Sequence, residues 1–407
     1  MARVPGSDTS NDLTLVPTPI RHSKPPSPPP GQHGTAPARA PSASSSAVDP
    51  ALTEVPELIG AIRQASPLRA AILSFSSIWF LIPQGTGITS TVLFRLDYQF
   101  RGLDIISYIV WGFTAVSLLL MLVLYATRTA LDPRHVVASL GHNAGEVACF
   151  SSVSIAFTSC VQMVALALGH IPGWATAACI LWWVNMGLAL VACTIIPYYY
   201  LHVQPPGAQQ ILPVTQLPLV AAITLAAGGG VVVAGGFATG TEAPAPLRLP
   251  IAMVSYLFLG LGMPLALAMS TVYLVRLFDG VPPPGGKVYQ DMILAGPWGQ
   301  GSFALQALGG VLASQAEAFA AYSPGGVFFS RHAVEVVGYA SMFLGFLSWG
   351  QGTFWWFYAS TSVGHSHVSP RKRTHDHHIS YSLAEWSLVF PWVSLFYVLL
   401  ILFSASH

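Results

Sequence analysis

Long apolar segments, separated by short polar breaks, follow one another from about residue 69 to the end of the chain. A helix that crosses a bilayer needs about 20 mostly apolar residues. Nine segments satisfy this requirement, and the pattern therefore predicts an all-α polytopic membrane protein. The first two lie at about 69–95 and 105–127, and the next three follow one another between Glu146 and Glu242. The last four lie at about 249–275, 291–317 and 335–364, and from Glu385 almost to His407.

The composition agrees with this interpretation. The chain is 53% hydrophobic and only 8% charged, whereas soluble proteins carry about 25% charged residues. A net charge of +1 gives no electrostatic reason to expect nucleic-acid binding. The cysteines lie in apolar runs, so we expect buried small side chains rather than a disulfide framework.

The first 55 residues differ from the rest of the chain. They are rich in Pro, Ser and Ala and nearly devoid of large apolar side chains. Such a segment buries too little surface to order itself, and it lacks the apolar core of a secretory signal. We predict a disordered cytosolic tail over 1–55 and a transmembrane domain over 56–407.

The distribution of Lys and Arg sets the expected orientation. Of 17 such residues, 13 fall on the side of the N-terminus and 4 on the opposite side. Because positively charged loops stay in the cytosol, we expect a cytosolic N-terminus.

Helix-breaking residues concentrate in the odd-numbered segments. Proline in a helix removes a backbone hydrogen bond and bends the axis, and irregular backbone at membrane depth is tolerated only inside protein or beside water. We therefore expect the odd segments to form an inner ring around a path, although Pro and Gly are also frequent in ordinary membrane helices. The candidate lining or kink residues are Pro83, Gly85, Thr86, Gly87, Pro218, Gly228, Gly229, Pro297, Gly299, Gln300, Gly301 and Pro391.

The third segment has no proline but is rich in Ser, Thr and Cys, and it adds Thr158 to the candidates. The path carries hydroxyls, amides and bent backbone, without the acidic rings of a cation filter. Exposed N–H groups at a bend favour an anion. We expect Thr86, Thr158 and Gln300 to contact it. No nucleophile–base set or phosphate loop is present, so neither catalysis nor a cofactor is expected.

Several stretches resemble the tellurite-resistance/dicarboxylate transporter family. They are "IPQGTGI", "LPLVAAITLAAGGGVV", "GMPLALAMSTVYLVRL", "GPWGQGSFALQALG" and "EWSLVFPW". The family includes fungal sulfite efflux pumps, malic-acid transporters, bacterial tellurite-resistance proteins and plant slow anion channels. The resemblance implies ten helices in five hairpins, arranged quasi-fivefold around a central pore. It also implies that Phe390 plugs that pore, as the corresponding phenylalanine does in channel members.

Two departures from the family pattern bear on function. Ser154, beside Phe157, stands where the fungal relatives have a proline in the third helix, and the resemblance adds both residues to the candidate pore lining. The chain also stops about where the tenth helix should begin, so nine helices are evident. Either a neighbouring copy in a homotrimer covers that flank, or the chain is a truncated, non-transporting paralogue.

The pattern and the resemblance together predict an anion transporter or channel of the plasma membrane that exports sulfite. Each negative charge that leaves gains about 2.3 kcal/mol per 100 mV of inside-negative potential, so a gated pore suffices. The alternative is a proton-coupled carrier of malate or another C4-dicarboxylate, with Glu146 as a candidate proton site. The His-rich loop at 365–378 fits a solvated basic loop near anionic lipid better than a metal site.

Overall fold

The computed structural model describes residues 67–96, 98–203, 207, 211–281, 285–322, 330–368 and 382–404. The predicted tail at 1–55 and most of the His-rich loop lie outside these residues. The described part of the chain is helical and contains no strand. Its α-helices are α1 (Pro67–Leu73), α2 (Leu81–Arg95), α3 (Leu103–Leu131), α4 (Pro133–His142), α5 (Ala144–Cys149), α6 (Ser151–Leu168), α7 (Trp174–Val203), α8 (Leu217–Ala234), α9 (Ala245–Phe278), α10 (Gly296–Ser314), α11 (Ala316–Tyr322), α12 (Arg331–Val368) and α13 (Val389–Ser404).

Each of the nine predicted segments corresponds to a helix or a broken pair of helices. Within the described residues, six spans are long and apolar enough to cross a membrane, and α1 with Ser77–Arg95 gives a seventh if this pair, bent by 75°, is counted as one span. The stretch Leu383–Val398 is apolar but shorter, and α10 is more polar because of its two glutamines and its glycines. The prediction of an all-α polytopic membrane protein is confirmed.

Burial alternates along the chain. The spans Ala144–Leu168 and Pro213–Thr239 are 72% and 94% buried, whereas the spans of α3, α7, α9 and α12 are between 28% and 39% buried. Lipid faces the poorly buried spans, so they need apolar side chains all round; the buried spans are free to carry Gly, Ser and Thr. Most residues of α2 and α10 are buried as well. These odd segments are therefore interior, as the helix-breakers predict.

The five interior helices contact one another in a closed cycle. Helix α2 contacts α6, α6 contacts α8, α8 contacts α10, α10 contacts α13, and α13 returns to α2. We call these five helices the inner ring. Four of them also pair with the following long helix, as α2 with α3, α6 with α7, α8 with α9, and α10 with α12.

The structure corrects the expected position of the proline breaks. Pro83, Pro218, Pro297 and Pro391 stand in the first turn of α2, α8, α10 and α13, each directly after a 3₁₀ helix. Proline is tolerated in the first turn because its missing N–H has no partner there. Interior prolines occur instead in the outer helices, at Pro197 in α7 and at Pro250 and Pro264 in α9. In these four inner helices the irregular backbone near the proline is therefore a change from 3₁₀ to α geometry at the start of the helix, and not a bend in its middle.

Helices α10 and α12 approach each other closely at a pair of glycines. A Cβ added at Gly309 would lie 2.6 Å from the carbonyl oxygen of Gly338, and one added at Gly338 would lie 2.8 Å from that of Gly309. Both obstacles are backbone atoms, which side-chain rotation leaves in place. The two glycines therefore fix the separation of this helix pair.

Gly309→Ala should destabilise the protein by about 1–3 kcal/mol, because the added methyl group forces α10 and α12 apart. Gly310→Ala is the matched control. It lies on the same helix, an added Cβ there meets nothing within 4 Å, and alanine is the better helix former by about 1 kcal/mol. The thermal unfolding midpoint in detergent should fall for the first variant and hold or rise for the second. Equal midpoints would contradict this account of the packing.

Candidate functional site

Two cavities open into the inner ring from its opposite ends. The N-side cavity, of about 310 Å³, is lined by residues at or before the N-termini of the inner helices, among them Ile78, Leu81, Val214 and Ile293. The C-side cavity, of about 580 Å³, is lined by their C-terminal halves, including Leu166, Val231, Ala307 and Tyr397. The five inner helices therefore run in parallel between the two cavities.

Both cavities carry basic side chains. His142 and Lys287 line the N-side cavity, and Arg95 and His170 line the C-side cavity. Arg95 Nη1 donates a hydrogen bond to Tyr397 Oη over 3.2 Å. Among the described residues that line either cavity, none is Asp or Glu. Basic side chains in linings that hold no carboxylate favour anions at both ends of the ring.

Phe390 lies at the inner end of the N-side cavity. Its side chain is 1% exposed, and with Gln84, Val220 and Gly296 it lines a gap of about 10 Å³. Leu81, Ile293 and Ser387 line both this gap and the N-side cavity. A gap of this size holds about one water molecule, which is too little space for a hydrated anion.

Helical spacing identifies the residue of α10 that lies between the gap and the C-side cavity. Gly296 lines the gap, and Phe303 and Ala307 line the C-side cavity. Gln300 follows Gly296 by four residues and precedes Phe303 by three. Because residues three or four apart share a helix face, Gln300 lies on the same face as the cavity-lining residues.

The same spacing identifies residues of α8 and α6 that lie on the N-terminal side of the C-side cavity. On α8, Val220 lines the gap and Val231 lines the C-side cavity, with Thr224 between them on the same face. On α6, Gln162 lies one turn before Leu166, which lines the C-side cavity. An added Cβ at Gly228, one turn after Thr224, would lie 3.7 Å from Gln162 Nε2. Gln162 therefore contacts α8 close to Thr224.

Helices α2 and α13 contribute corresponding positions. Ile88 follows the gap-lining Gln84 by one turn and precedes Arg95 by two. Ser394 lies between Phe390 and Tyr397 on α13, and its Oγ donates to the carbonyl oxygen of Pro391 over 3.0 Å.

We refer to Gln162, Thr224 and Gln300 as the polar layer. All three side chains are 0% exposed. Within the described part of the chain, both amide atoms of each glutamine and Thr224 Oγ1 lack a hydrogen-bond partner. Buried polar groups are nearly always hydrogen-bonded, so five unpartnered atoms on the three successive inner helices α6, α8 and α10 require an explanation.

Other predicted contact residues face the outer helices instead. Thr114 Oγ1 of α3 donates to Thr86 Oγ1 over 2.9 Å. Asn185 Nδ2 of α7 donates to Thr158 Oγ1 over 2.7 Å, and Ser154 Oγ donates to Asn185 Oδ1 over 3.0 Å. These hydroxyls join inner helices to outer ones. Phe157 is half-buried among apolar side chains.

The predicted glycines lie at helix contacts. An added Cβ at Gly229 or Gly301 would meet α9, at Ser255 or Met263 respectively. The other four face a neighbouring inner helix: Gly85 faces Val389, Gly87 faces Ser159, Gly228 faces Thr158, and Gly299 faces Ser394. Their missing side chains allow the close approach of the inner helices, and a lining role stays a prediction.

Two buried carboxylates lie near the N-side cavity. Glu146 Oε1 accepts from Arg128 Nη1 over 2.7 Å, with both side chains 4% exposed, and Ser139 Oγ donates to its other oxygen. Asp291 accepts from Tyr273 Oη over 2.6 Å and from Ser362 Oγ over 2.9 Å. Burial raises the pKa of Asp291 above its usual range, against the opposing effect of these bonds and of Arg276.

The sequence pattern alone does not single out Gln84 or Thr224. The spacing of four residues between Val220 and Thr224 is visible in the sequence, but it acquires meaning only once Val220 is known to line the gap. No group of three His, Cys, Asp or Glu suited to a metal ion occurs among the described residues.

Comparison with known proteins identifies the family. Residues 74–405 match the family described as "SLAC1: Voltage-dependent anion channel". The chain belongs to this family. It is a multi-pass membrane protein of an anion-transport family, and the resemblance read from the motifs is confirmed.

Three similar fungal proteins carry the name sulfite efflux pump SSU1. They come from Arthroderma otae, Arthroderma benhamiae and Trichophyton rubrum. Each is 29% identical to this chain over 294 residues, which cover 72% of this chain and 75% of the relative.

Proposed function

We propose that this protein exports sulfite across the plasma membrane through the inner ring, with Phe390 as the gate. The similarity to proteins named sulfite efflux pumps supports the substrate, and the two cavities with basic residues support the route. The observation that carries the proposal is the placement of Phe390 at a gap of about 10 Å³ on the inner ring, between the levels of the N-side and C-side cavities.

In this proposal the N-terminus and the N-side cavity are cytosolic. Lys287 and His142 draw the anion into the N-side cavity. When Phe390 moves aside, the anion passes the polar layer and leaves past Arg95 on the outer side. An inside-negative potential of 100 mV favours the outward movement of one negative charge across the whole membrane by about 2.3 kcal/mol. The gradient alone therefore drives efflux.

Expression in a sulfite-sensitive yeast strain tests this function. We expect restored growth on sulfite and faster loss of preloaded sulfite from the cells, with the protein quantified at the cell surface. Normal surface levels without rescue would contradict sulfite export and would favour the malate carrier or the non-transporting paralogue.

A proton-coupled carrier of a C4-dicarboxylate is the second candidate, and Asp291 favours it. Glu146 is held in an ion pair by Arg128, whereas Asp291 is fully buried beside the cavity-lining Gln290. Its raised pKa means that it holds a proton at a higher pH than an exposed aspartate does.

Malate uptake that rises as the external pH falls, and loses this dependence in Asp291→Asn, would support the carrier. Uptake that is absent at every pH tested would exclude it. The side chains of Tyr273, Tyr358, Ser362 and Arg276 surround this carboxylate, and the substitution changes none of them.

A further inference from the structure

We propose that the polar layer of Gln162, Thr224 and Gln300 binds a monoanionic oxyanion that carries a hydroxyl group, and that it selects this class over halides. The inference rests on the proposed role of the inner ring as an anion path. Hydrogen sulfite belongs to this class and chloride does not.

The hydrogen-bonding capacity of the layer carries the argument. Each glutamine offers an Nε2 donor and an Oε1 acceptor, and Thr224 offers a hydroxyl that does both. None of these atoms has a partner among the described residues. An anion supplies oxygen atoms for the donors, whereas the two Oε1 atoms need an O–H or N–H from the solute or from water.

A halide meets only half of this capacity. Chloride accepts hydrogen bonds but donates none, so the solute itself leaves both Oε1 atoms without a donor, and the Thr224 hydroxyl can serve only one of them; unpartnered buried acceptors are costly. A hydroxyl-bearing oxyanion accepts from both Nε2 donors and donates its O–H to one Oε1, which leaves the Thr224 hydroxyl for the other. Sites that pair a solute hydroxyl discriminate strongly against analogues that lack one.

The charge of the solute is limited by the surroundings of the layer. All three of its members are uncharged, and the charged residues on the path lie beyond it, with Lys287 in the N-side cavity and Arg95 in the C-side cavity. The cost of moving an ion out of water rises with the square of its charge in the Born treatment. A monoanion therefore enters more readily than a dianion, and hydrogen bonds alone hold it weakly enough to leave.

The test uses the full chain reconstituted in liposomes, at a mildly acidic pH at which hydrogen sulfite is the main sulfite species. Fluxes of hydrogen sulfite, nitrate and chloride are compared for the natural protein and for the double variant Gln162→Met, Gln300→Met. Methionine keeps the shape of glutamine without its hydrogen bonds. We expect the ratio of hydrogen sulfite flux to chloride flux to fall about tenfold or more, and a smaller fall for Thr224→Val.

Asn185→Leu is the matched control, because this buried amide is fully partnered by Ser154 and Thr158. It should lower the thermal midpoint and leave the flux ratio unchanged. The double glutamine variant should lower the flux ratio without lowering the thermal midpoint, because it removes amides that have no hydrogen-bond partner among the described residues.

An unchanged ratio in the double variant and in Thr224→Val, with flux intact, would overturn this inference and leave sulfite export standing. Chloride flux without hydrogen sulfite flux in the natural protein would overturn both proposals, as would the absence of any anion flux.

Discussion

Phe390→Ala should raise the anion flux per molecule about tenfold or more. The phenyl ring stands at a gap that holds about one water molecule, and an apolar constriction blocks ions both sterically and by excluding water. Truncation to a methyl group joins this gap to the space on either side. A tenfold rise corresponds to a barrier lower by about 1.4 kcal/mol.

The measurement is anion current or liposome flux, normalised to the amount of protein at the membrane. Phe258→Ala is the matched control, because Phe258 is a buried phenylalanine of the outer helix α9. Both variants lose packing contacts, but only Phe390→Ala should increase flux. An unchanged flux per molecule in Phe390→Ala would remove Phe390 as the gate.

Glu146→Gln should destabilise the protein by about 3–5 kcal/mol. The change leaves the Arg128 guanidinium buried without its counter-ion, and an uncompensated buried charge is far more costly than the pair is favourable. The pair joins the C-terminal end of α3 to α5, so its loss loosens the N-side end of the ring.

A shift in the thermal midpoint of the purified protein checks this prediction. Glu335→Gln, which breaks an exposed i,i+4 pair with Arg331, serves as the surface control and should change the midpoint little. The double variant Arg128→Met, Glu146→Gln should recover part of the loss, because no lone charge stays buried. Equal midpoints for Glu146→Gln and Glu335→Gln would contradict the burial argument.

The polar layer is costly to keep in an interior that is otherwise well packed. Each unpartnered buried polar group costs about 1–3 kcal/mol, and leucine or methionine fits the same space at no such cost. Native proteins accept such a cost mainly at functional sites. The position of the layer, between the gap at Phe390 and the C-side cavity, therefore favours contact with a passing solute.

The order of the helices and their inner or outer placement were predictable from the sequence. Lipid-facing spans such as α3 must be apolar all round, whereas buried spans are free to carry Gly, Ser and Thr, so the two kinds differ in composition. The resemblance to the anion-channel family drew attention to Phe390, which composition alone would not distinguish from a packing aromatic.

The direction of each inner side chain was not predictable. Nearly every residue of α8 is buried, so its hydrophobic pattern has no polar face to mark an orientation. Thr86 and Thr158 therefore looked equivalent to Gln300, although the structure bonds both threonines to outer helices. The first-turn position of Pro218 and Pro297 likewise depends on where 3₁₀ geometry changes to α, which local sequence fixes poorly.

The accessibility of engineered thiols tests most directly whether the two cavities form one gated aqueous path. In a background without the four native cysteines, Val231→Cys in the C-side cavity should react with a charged, membrane-impermeant thiol reagent added outside. Leu217→Cys, at the gap beside Phe390, should stay unreactive until Phe390→Ala is added. Leu257→Cys, which is 71% exposed on the outer helix α9, should face lipid and not react. Two results would contradict a single gated path. One is that the reagent labels Leu257→Cys but not Val231→Cys; the other is that it labels Leu217→Cys from outside while Phe390 is still present.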